Sequence, residues 1–227
     1  MTTHKYLPEA TLVVVEAEAK KYEKFMMEMK FIPENINGMG SIRNWILNNF
    51  KEEIIFMADD DMQGVWCNVG REGKLISNSE TISQIIRNTA RCAKDTGVKL
   101  FGFSQAWDTR QYRGNKPISL CGWVGAFFGV IGREIVFDEV NKLKVDIDYC
   151  LRQLLKNRII YIDKRYAFKQ LRDTNIGGNA KLRSADLKNE EIERLKRRWG
   201  KYFNYKRTNT GEKVNIRVER NIQNFQI

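Results

Sequence analysis

The order in which two apolar patterns alternate over the first 60 or so residues constrains this chain most. "TLVVVEA" (11–17) is a short, continuous, valine-rich run, the pattern of a strand buried within a parallel sheet. "EAKKYEKFMMEMK" follows with Tyr22, Phe25, Met26 and Met29 at helical spacing. "FIPENINGMG" is a Pro/Asn/Gly loop. "SIRNWILNNF" then puts Ile42, Trp45, Ile46 and Phe50 on one helical face, with Ser41 as its N-cap. "EEIIFMA" is a second buried run. Strand, helix, loop, helix, strand is the βαβ order of a doubly wound sheet.

The pattern continues beyond that unit. "GREGKLI" reads as a hairpin fragment, and "SETISQIIRNTARCAKDTG" as a helix with Ile82, Ile85, Ile86 and Ala93 inward and Gly97 as its stop. "VKLFGFSQ" is a third strand, followed by the long loop "AWDTRQYRGNKPIS". "LCGWVGAFFGVIGR" carries four glycines, which suits strands passing close to a ligand or another backbone. "VDIDYCLRQLLKN" is an amphipathic helix with Ile147, Leu151, Leu154 and Leu155 inward, and "RIIYID" is a last strand. A Gly/Asn-rich loop, "RDTNIGGNAKLRSA", leads to a final helix with Ile192, Leu195, Trp199 and Phe203 on one face. At 227 residues and 42% hydrophobic content, this is one sizeable α/β domain with a buried core. Residues 1–170 form the core, and 171–227 form a basic extension packed on it.

Several classes are excluded. No apolar run approaches the roughly 18 to 20 residues that cross a bilayer, and the first twenty residues lack the apolar length and cleavage site of a signal peptide. The expected location is the cytoplasm. Cys67, Cys92, Cys121 and Cys150 are too scattered for a zinc site and read as free thiols. The net charge of +11 points to a polyanionic partner. Residues 171–227 hold fourteen Lys/Arg against seven Asp/Glu, so most of the excess lies there. The aromatic-interleaved run "RLKRRWGKYFNYKR" fits phosphates and exposed bases, with Trp199 and Phe203 packing inward. Lys181, Arg183, Arg197, Arg198, Lys206 and Arg207 are the candidate nucleic-acid contacts.

The chemistry gathers at three places. Asp59, Asp60 and Asp61 end the second buried run, and ligands of open α/β sheets sit at the carboxyl ends of strands. Three adjacent carboxylates repel one another, and a hard cation such as Mg²⁺ or Mn²⁺ offsets that repulsion. In an extended chain Asp59 and Asp61 project alike and Asp60 points away. The bland reading is a solvated acidic loop. Arg43 and Asn44 stand on the first turn of a helix after "NGMG", a natural anion position. Asp146 and Asp148 open a later helix, where one caps the dipole and the other is available as a general base.

Together these pieces resemble a glycosyltransferase of the GT-A fold. "TLVVVEA" is similar to its first nucleotide-binding strand and "NGMGSIRNWIL" to the loop and helix of its G-x-x-x-x-R-N segment. "IIFMADDDM" is similar to the strand entering its D-x-D motif, and "KVDIDYCLRQL" to its later E-D-x-D segment. The order and spacing match over roughly residues 10 to 165. Within that superfamily, "IPENINGMGSIRNWI" paired with "FMADDDM" looks most like the TET-associated glycosyltransferases. Those are known chiefly from bacteriophages and are proposed to glycosylate hydroxymethylated pyrimidines in DNA. The resemblance implies an α/β GT-A-like (Rossmann-like) mixed sheet flanked by helices, with a basic C-terminal helical extension. It implies hexosyl transfer from a nucleotide sugar, a UDP-sugar first, to a DNA acceptor in the (host) cytoplasm, with a divalent metal, Mn²⁺ or Mg²⁺, as cofactor. The metal falls to Asp59 and Asp61, donor contacts to Glu16, Arg43, Asn44, Asp59 and Asp60, and the catalytic position to Asp146 with Asp148 beside it. Trp107, Arg110 and Trp123 would shape the acceptor pocket. Two positions depart from the pattern: Val145 replaces an acidic residue, leaving the base open between Asp146 and Asp148, and the late metal-binding histidine is missing, the one histidine being His4. The remaining readings are transfer to a protein or small acceptor, a nucleotidyltransferase, and a non-enzymatic nucleic-acid-binding module.

Overall fold

The computed structural model describes residues 1–171, 184–208 and 211–218. The chain starts with a short strand, β1 (Leu12–Val15), and a brief helical stretch centred on α1 (Ala19–Tyr22). The long helix expected over 18–30 does not form. Met26 takes a left-handed conformation and is 93% exposed, and the chain turns directly into β2 (Met29–Ile32), which pairs in parallel with β1. These two strands stand as a separate ribbon and not in the central sheet, and only Val14 and Ile32 of them are fully buried.

α2 (Met39–Asn49) follows, and its N-cap is Gly38, not Ser41; Gly38 has a φ of 93°. Its buried stripe is Gly40, Arg43 and Leu47, not the expected Ile42, Trp45, Ile46 and Phe50 face. Ile46 and Phe50 pack only part-buried at its edge. The stripe can include an arginine because Gly40 brings α2 against the 138–139 backbone. A Cβ at Gly40 would lie 2.4 Å from the Asp138 carbonyl oxygen.

β3 (Ile54–Ala58) is the strand expected to end in the aspartates. The chain then reverses through Asp59–Asp61 into β4 (Met62–Cys67), which is followed by β5 (Lys74–Ile76). α3 (Ser79–Asp95) buries Ile82, Ile85, Ile86 and Ala93 as expected, and Asn78 caps it through the Thr81 N–H. Next come β6 (Leu100–Phe103), β7 (Ile118–Ser119), β8 (Phe127–Ile131) and α4 (Val145–Asn157). β9 (Tyr161–Asp163) is not the last strand: β10 (Tyr166–Gln170) follows at once. Beyond α5 (Ala185–Trp199), β11 (Phe203–Thr208) and β12 (Gly211–Ile216) form an antiparallel hairpin, so Phe203 begins a strand and does not extend the helix.

The central sheet has the order β3-β8-β6-β9-β7. β8 runs antiparallel to both β3 and β6, and β6 runs parallel to β9. Strand alternation sends residues to two faces. Ile55, Met57, Leu100, Phe128 and Val130 meet Leu47 of α2, much of α4, and Ile192 and Leu195 of α5. Phe103 and Phe127 turn the other way, toward α3 and the β10-β4-β5 sheet. The molecule is therefore a mixed α/β fold with helices on both faces of its main sheet. The glycines expected to approach a ligand mostly accommodate side chains: a Cβ at Gly129 would fall 2.0 Å from the Phe101 ring. All four cysteines are free thiols. Among the described residues, no helix is long and apolar enough to cross a membrane.

Gly40→Ala tests the close approach. Alanine favours a helix interior by about 1 kcal/mol over glycine, whereas overpacking against backbone costs about 1–3 kcal/mol. A net loss of stability in denaturant unfolding is expected, and a stabilised variant would refute the packing.

Candidate active site

Because β3, β6 and β9 run alike and β8 opposes them, four connections meet at one edge of the main sheet. These are the Asp59–Asp61 turn, the loop after β6 with Trp107, the turn after β9, and the loop with Trp123 that enters β8. Ala58 pairs with Phe127, which fixes the aspartate turn beside that last loop.

The turn is held mainly by the N-terminus. The Thr3 hydroxyl donates to the Asp59 carbonyl at 2.6 Å and accepts from the Met62 N–H at 3.1 Å. The Thr2 N–H donates to the Asp60 carbonyl at 2.8 Å, and the Thr2 hydroxyl to the Met62 carbonyl at 2.7 Å. From the other side the Leu171 N–H reaches the Asp61 carbonyl at 3.2 Å. These bonds fix the backbone of the turn and aim its carboxylates. Nothing in the sequence pattern singles out Thr2 and Thr3, since a long-range bond from a hydroxyl to backbone leaves no periodic trace.

Arg43 comes from the buried stripe of α2 and is only 7% exposed. Its guanidinium lies 4.9 Å from the ring centre of Phe128 and 5.5 Å from that of Phe137. Such contacts are worth about 0.5–2 kcal/mol and help offset burial of the charge. Phe137 is itself stacked on Tyr149 of α4, with ring centres 3.7 Å apart. Asn44 pins the same segment: it accepts from the Phe137 N–H at 2.8 Å and donates to the Phe137 carbonyl at 3.1 Å. Its amide also donates to Glu139 at 2.8 Å. Asn44, expected as a donor contact, thus also clamps the backbone that sets the place of Arg43. Phe137, which the sequence reading passed over, is the platform.

Arg43 acts on two carboxylates from distant parts of the chain. Burial pushes the Asp59 carboxyl up to about 6; Arg43 opposes the shift, and the charges of Asp61, Asp60 and Asp146 add to it. Burial also raises the Asp146 carboxyl, with Arg43 and then Lys144 opposing. Both aspartates are half-buried and retain some solvent exposure. Arg43 makes none of the direct ion pairs found among the described residues. The structure therefore brings Arg43, Asp59, Asp60, Asp61 and Asp146 into one electrostatic group, with acids in excess. It does not tie Glu16 into that group: Glu16 is exposed just past β1.

Asp148 is placed quite differently. It is 0% exposed and accepts from Arg152 Nε at 2.6 Å and from Trp199 Nε1 at 2.9 Å. Asp138 joins this network through Arg152 at 2.7 Å and through a short contact with Arg198. Burial alone would raise the Asp138 carboxyl, but bonds from Arg198 and the Val140 N–H, with Arg152 nearby, hold it below the usual carboxylate range. Both aspartates stand in the first turn of α4, where their charge complements the dipole as expected, but neither is its N-cap. That is Lys144, without a side-chain bond, and Asp146 accepts from the adjacent Ile147 N–H at 2.9 Å and from its own N–H.

Of the other expected residues, Trp107 and Trp123 lie at the site edge and are partly buried, and Trp123 packs on the main core. Arg110 is exposed and forks onto Asp108 at 2.9 Å. Arg197 and Lys206 are exposed, Arg207 donates to Asn189 at 2.9 Å, and Arg198 is committed to Asp138 and Asp148. Lys181 and Arg183 lie outside the described residues.

The acidic side chains thus stand at the strand ends of a mixed α/β sheet, where ligands of open α/β sheets bind. The family model for TET-associated glycosyltransferases matches residues 3–178. The chain belongs to that family and is a glycosyltransferase. No curated protein and no solved structure matches it.

The burial of Asp59 beside other acids has a measurable cost. The folded-state pKa of Asp59 lies above its ordinary value of 3.8, so ionisation penalises the folded chain. That contribution to stability is full below about pH 4 and is lost as the pH rises through about 6. Asp59→Asn should therefore gain about 1 kcal/mol over the parent at pH 7.5, a figure discounted for the group's residual solvent access, and nothing at pH 4. Thermal melts at both pH values would show this, and an equal effect at each would contradict the electrostatic origin.

Proposed function

We propose that the protein transfers a sugar from a nucleotide-sugar donor to the hydroxyl of a hydroxymethyl-pyrimidine in DNA, with Asp146 as general base. The observation that carries this reading is the meeting of Asp59 and Asp146 around one buried arginine. A donor diphosphate and an acceptor hydroxyl need opposite services at adjacent points, and these residues supply both. Arg43, fixed by Phe128, Phe137 and Asn44, binds and orients the diphosphate of the donor. Asp146, with its carboxyl raised by burial, takes the acceptor proton. Between the two aspartates left open by the sequence, Asp146 is favoured because both oxygens of Asp148 are engaged by Arg152 and Trp199.

The residues present fit a divalent cation. Asp59 is raised to about 6 by burial with only one nearby arginine opposing and three acids adding, an environment short of positive charge. Asp59 and Asp61 would hold the ion, and Asp60, on the same turn, would serve the donor. Among the described residues no group of three or more His, Cys, Asp or Glu stands together as a ready cage, so donor oxygens would complete its shell. When bound, such an ion neutralises the charge that develops on the departing nucleoside diphosphate. The GT-A character of the sheet belongs to this proposal, as does the UDP-type donor. Glu16, at the end of β1, would meet the nucleoside part.

For the acceptor, Trp107 and Trp123 at the site edge offer faces for a base or sugar, with Arg110 as a surface contact. A pyrimidine in a duplex must swing out of the stack to reach Asp146. The basic C-terminal region, residues 171–227, would hold the DNA backbone through Arg197, Lys206 and Arg207, with Lys181 and Arg183 as further cations.

The test combines purified protein, Mn²⁺ or Mg²⁺, a panel of nucleotide sugars and hydroxymethylated DNA, read by mass. A gain of one hexose is expected with at least one donor. Asp146→Asn should lower the rate by 100-fold or more, in line with the usual 10²–10⁴ contribution of a general base. Activity retained in Asp146→Asn, or no mass gain from folded protein with any donor, would defeat the reading. For the DNA contacts, Arg197→Ala with Lys206→Ala should flatten the slope of log affinity against log salt by about 1.5–2. An unchanged slope would remove those two cations from the interface.

A further inference from the structure

The segment that presents Asp146 is held from outside the region matched by the family. Glu191, on α5, is 0% exposed and aims its carboxylate at the three residues before α4. One oxygen accepts from the Lys142 N–H at 2.5 Å, and the other from the Leu143 and Lys144 N–H groups, both at 2.9 Å. Three successive backbone donors converging on one buried carboxylate form a nest. This nest fixes the peptide planes immediately before Val145 and Asp146.

We propose that Glu191 is a positioning residue for Asp146, and that α5 is a brace for the catalytic segment as well as a carrier of basic charge. The inference rests on the reading of Asp146 as the base. Three observations beyond the nest support it. Ile192 and Leu195, on the same face of α5, are buried in the main core, so the helix that carries Glu191 is anchored. Trp199 and Arg198, further along that face, hold Asp148, one helical turn before Arg152 and two residues after Asp146. The first turn of α4 is thus gripped on both sides of Asp146 by α5. And α4 has no side-chain cap of its own at Lys144, so the distant glutamate takes the capping part. The Asp146 carboxylate accepts from the Ile147 N–H and from its own N–H, both in the same first turn, so its aim follows where that backbone is held.

The test is a graded series in the full-length chain: Glu191→Gln, which keeps one acceptor oxygen, and Glu191→Ala, which keeps none. Ile192→Val serves as a control that loosens α5 without touching the nest. Sugar transfer to hydroxymethylated DNA, donor affinity and amide hydrogen exchange are measured on each. For Glu191→Gln we expect kcat to fall about tenfold with donor KM within twofold of the parent, and faster exchange at the 142–144 amides while those of β3 and β8 stay protected. Glu191→Ala should go further in the same direction, or fail to fold, in which case the Gln variant decides. Ile192→Val should lower the melting temperature without changing kcat. Faster exchange at 142–144 with normal kcat would make Glu191 a structural cap and overturn the proposal. An active Asp146→Asn variant would instead overturn the assignment of the base, a separate failure with its own readout.

Discussion

The rest of the site depends on one electrostatic compromise: a single buried guanidinium among carboxylates that cannot all be satisfied by it. Arg43 moderates Asp59 and Asp146 but pairs directly with neither. A folded chain would ordinarily resolve such a group by bringing opposite charges into contact, since unpaired buried charge is expensive. Here the contacts are prevented. The aromatic faces of Phe128 and Phe137 hold Arg43, residues 2 and 3 hold the aspartate turn, and Glu191 holds the approach to Asp146. Each restraint comes from a different element. The site keeps its charges apart because the fold surrounds it with independent anchors.

Residues 137–139 are where those anchors converge. Phe137 lies under Arg43 and on Tyr149, the Asp138 carbonyl receives the close approach of Gly40, and the Asp138 carboxylate takes Arg152 and Arg198. α2, α4 and α5 therefore share one short connection between β8 and α4. A displacement of any of the three helices would be felt at Arg43 and Asp146 together. This explains how a fully buried residue such as Asp148 can still matter to the chemistry.

What could be read in the sequence was what is local and periodic. β3 with its terminal aspartates, the inward face of α3 and the helix carrying Asp146 all follow from patterns contained within one segment. β1 was read as a strand, but its partner β2, together with β4, β10 and the β11–β12 hairpin, was missed, because partly exposed or mixed strands carry too few regular apolar positions to stand out from loop. The α2 face was read from its apolar residues alone, which leaves out Arg43. Arg43 is buried because two phenylalanine faces from β8 and the following connection await it, and no window along α2 contains them. Thr2, Thr3 and Glu191 share that property: each acts on backbone far away in the chain.

The division of labour along the chain also changes the meaning of its basic tail. The family match ends at residue 178, and every member of the Arg43–Asp59–Asp146 group lies inside it. The brace lies beyond it. Composition alone made the last quarter a cation-rich surface for a polyanion, with Arg198 among its contacts. In the folded chain Arg198 pairs with Asp138 and Asp148 while remaining exposed, and Trp199 packs inward and donates to Asp148. The same helix leaves Arg197 exposed to solvent. One turn of α5 thus divides its cations between holding the site and facing outward. A DNA backbone bound along that outward face would lie on the helix that also fixes the peptide planes before Asp146, so acceptor binding and the aim of the base would be mechanically linked.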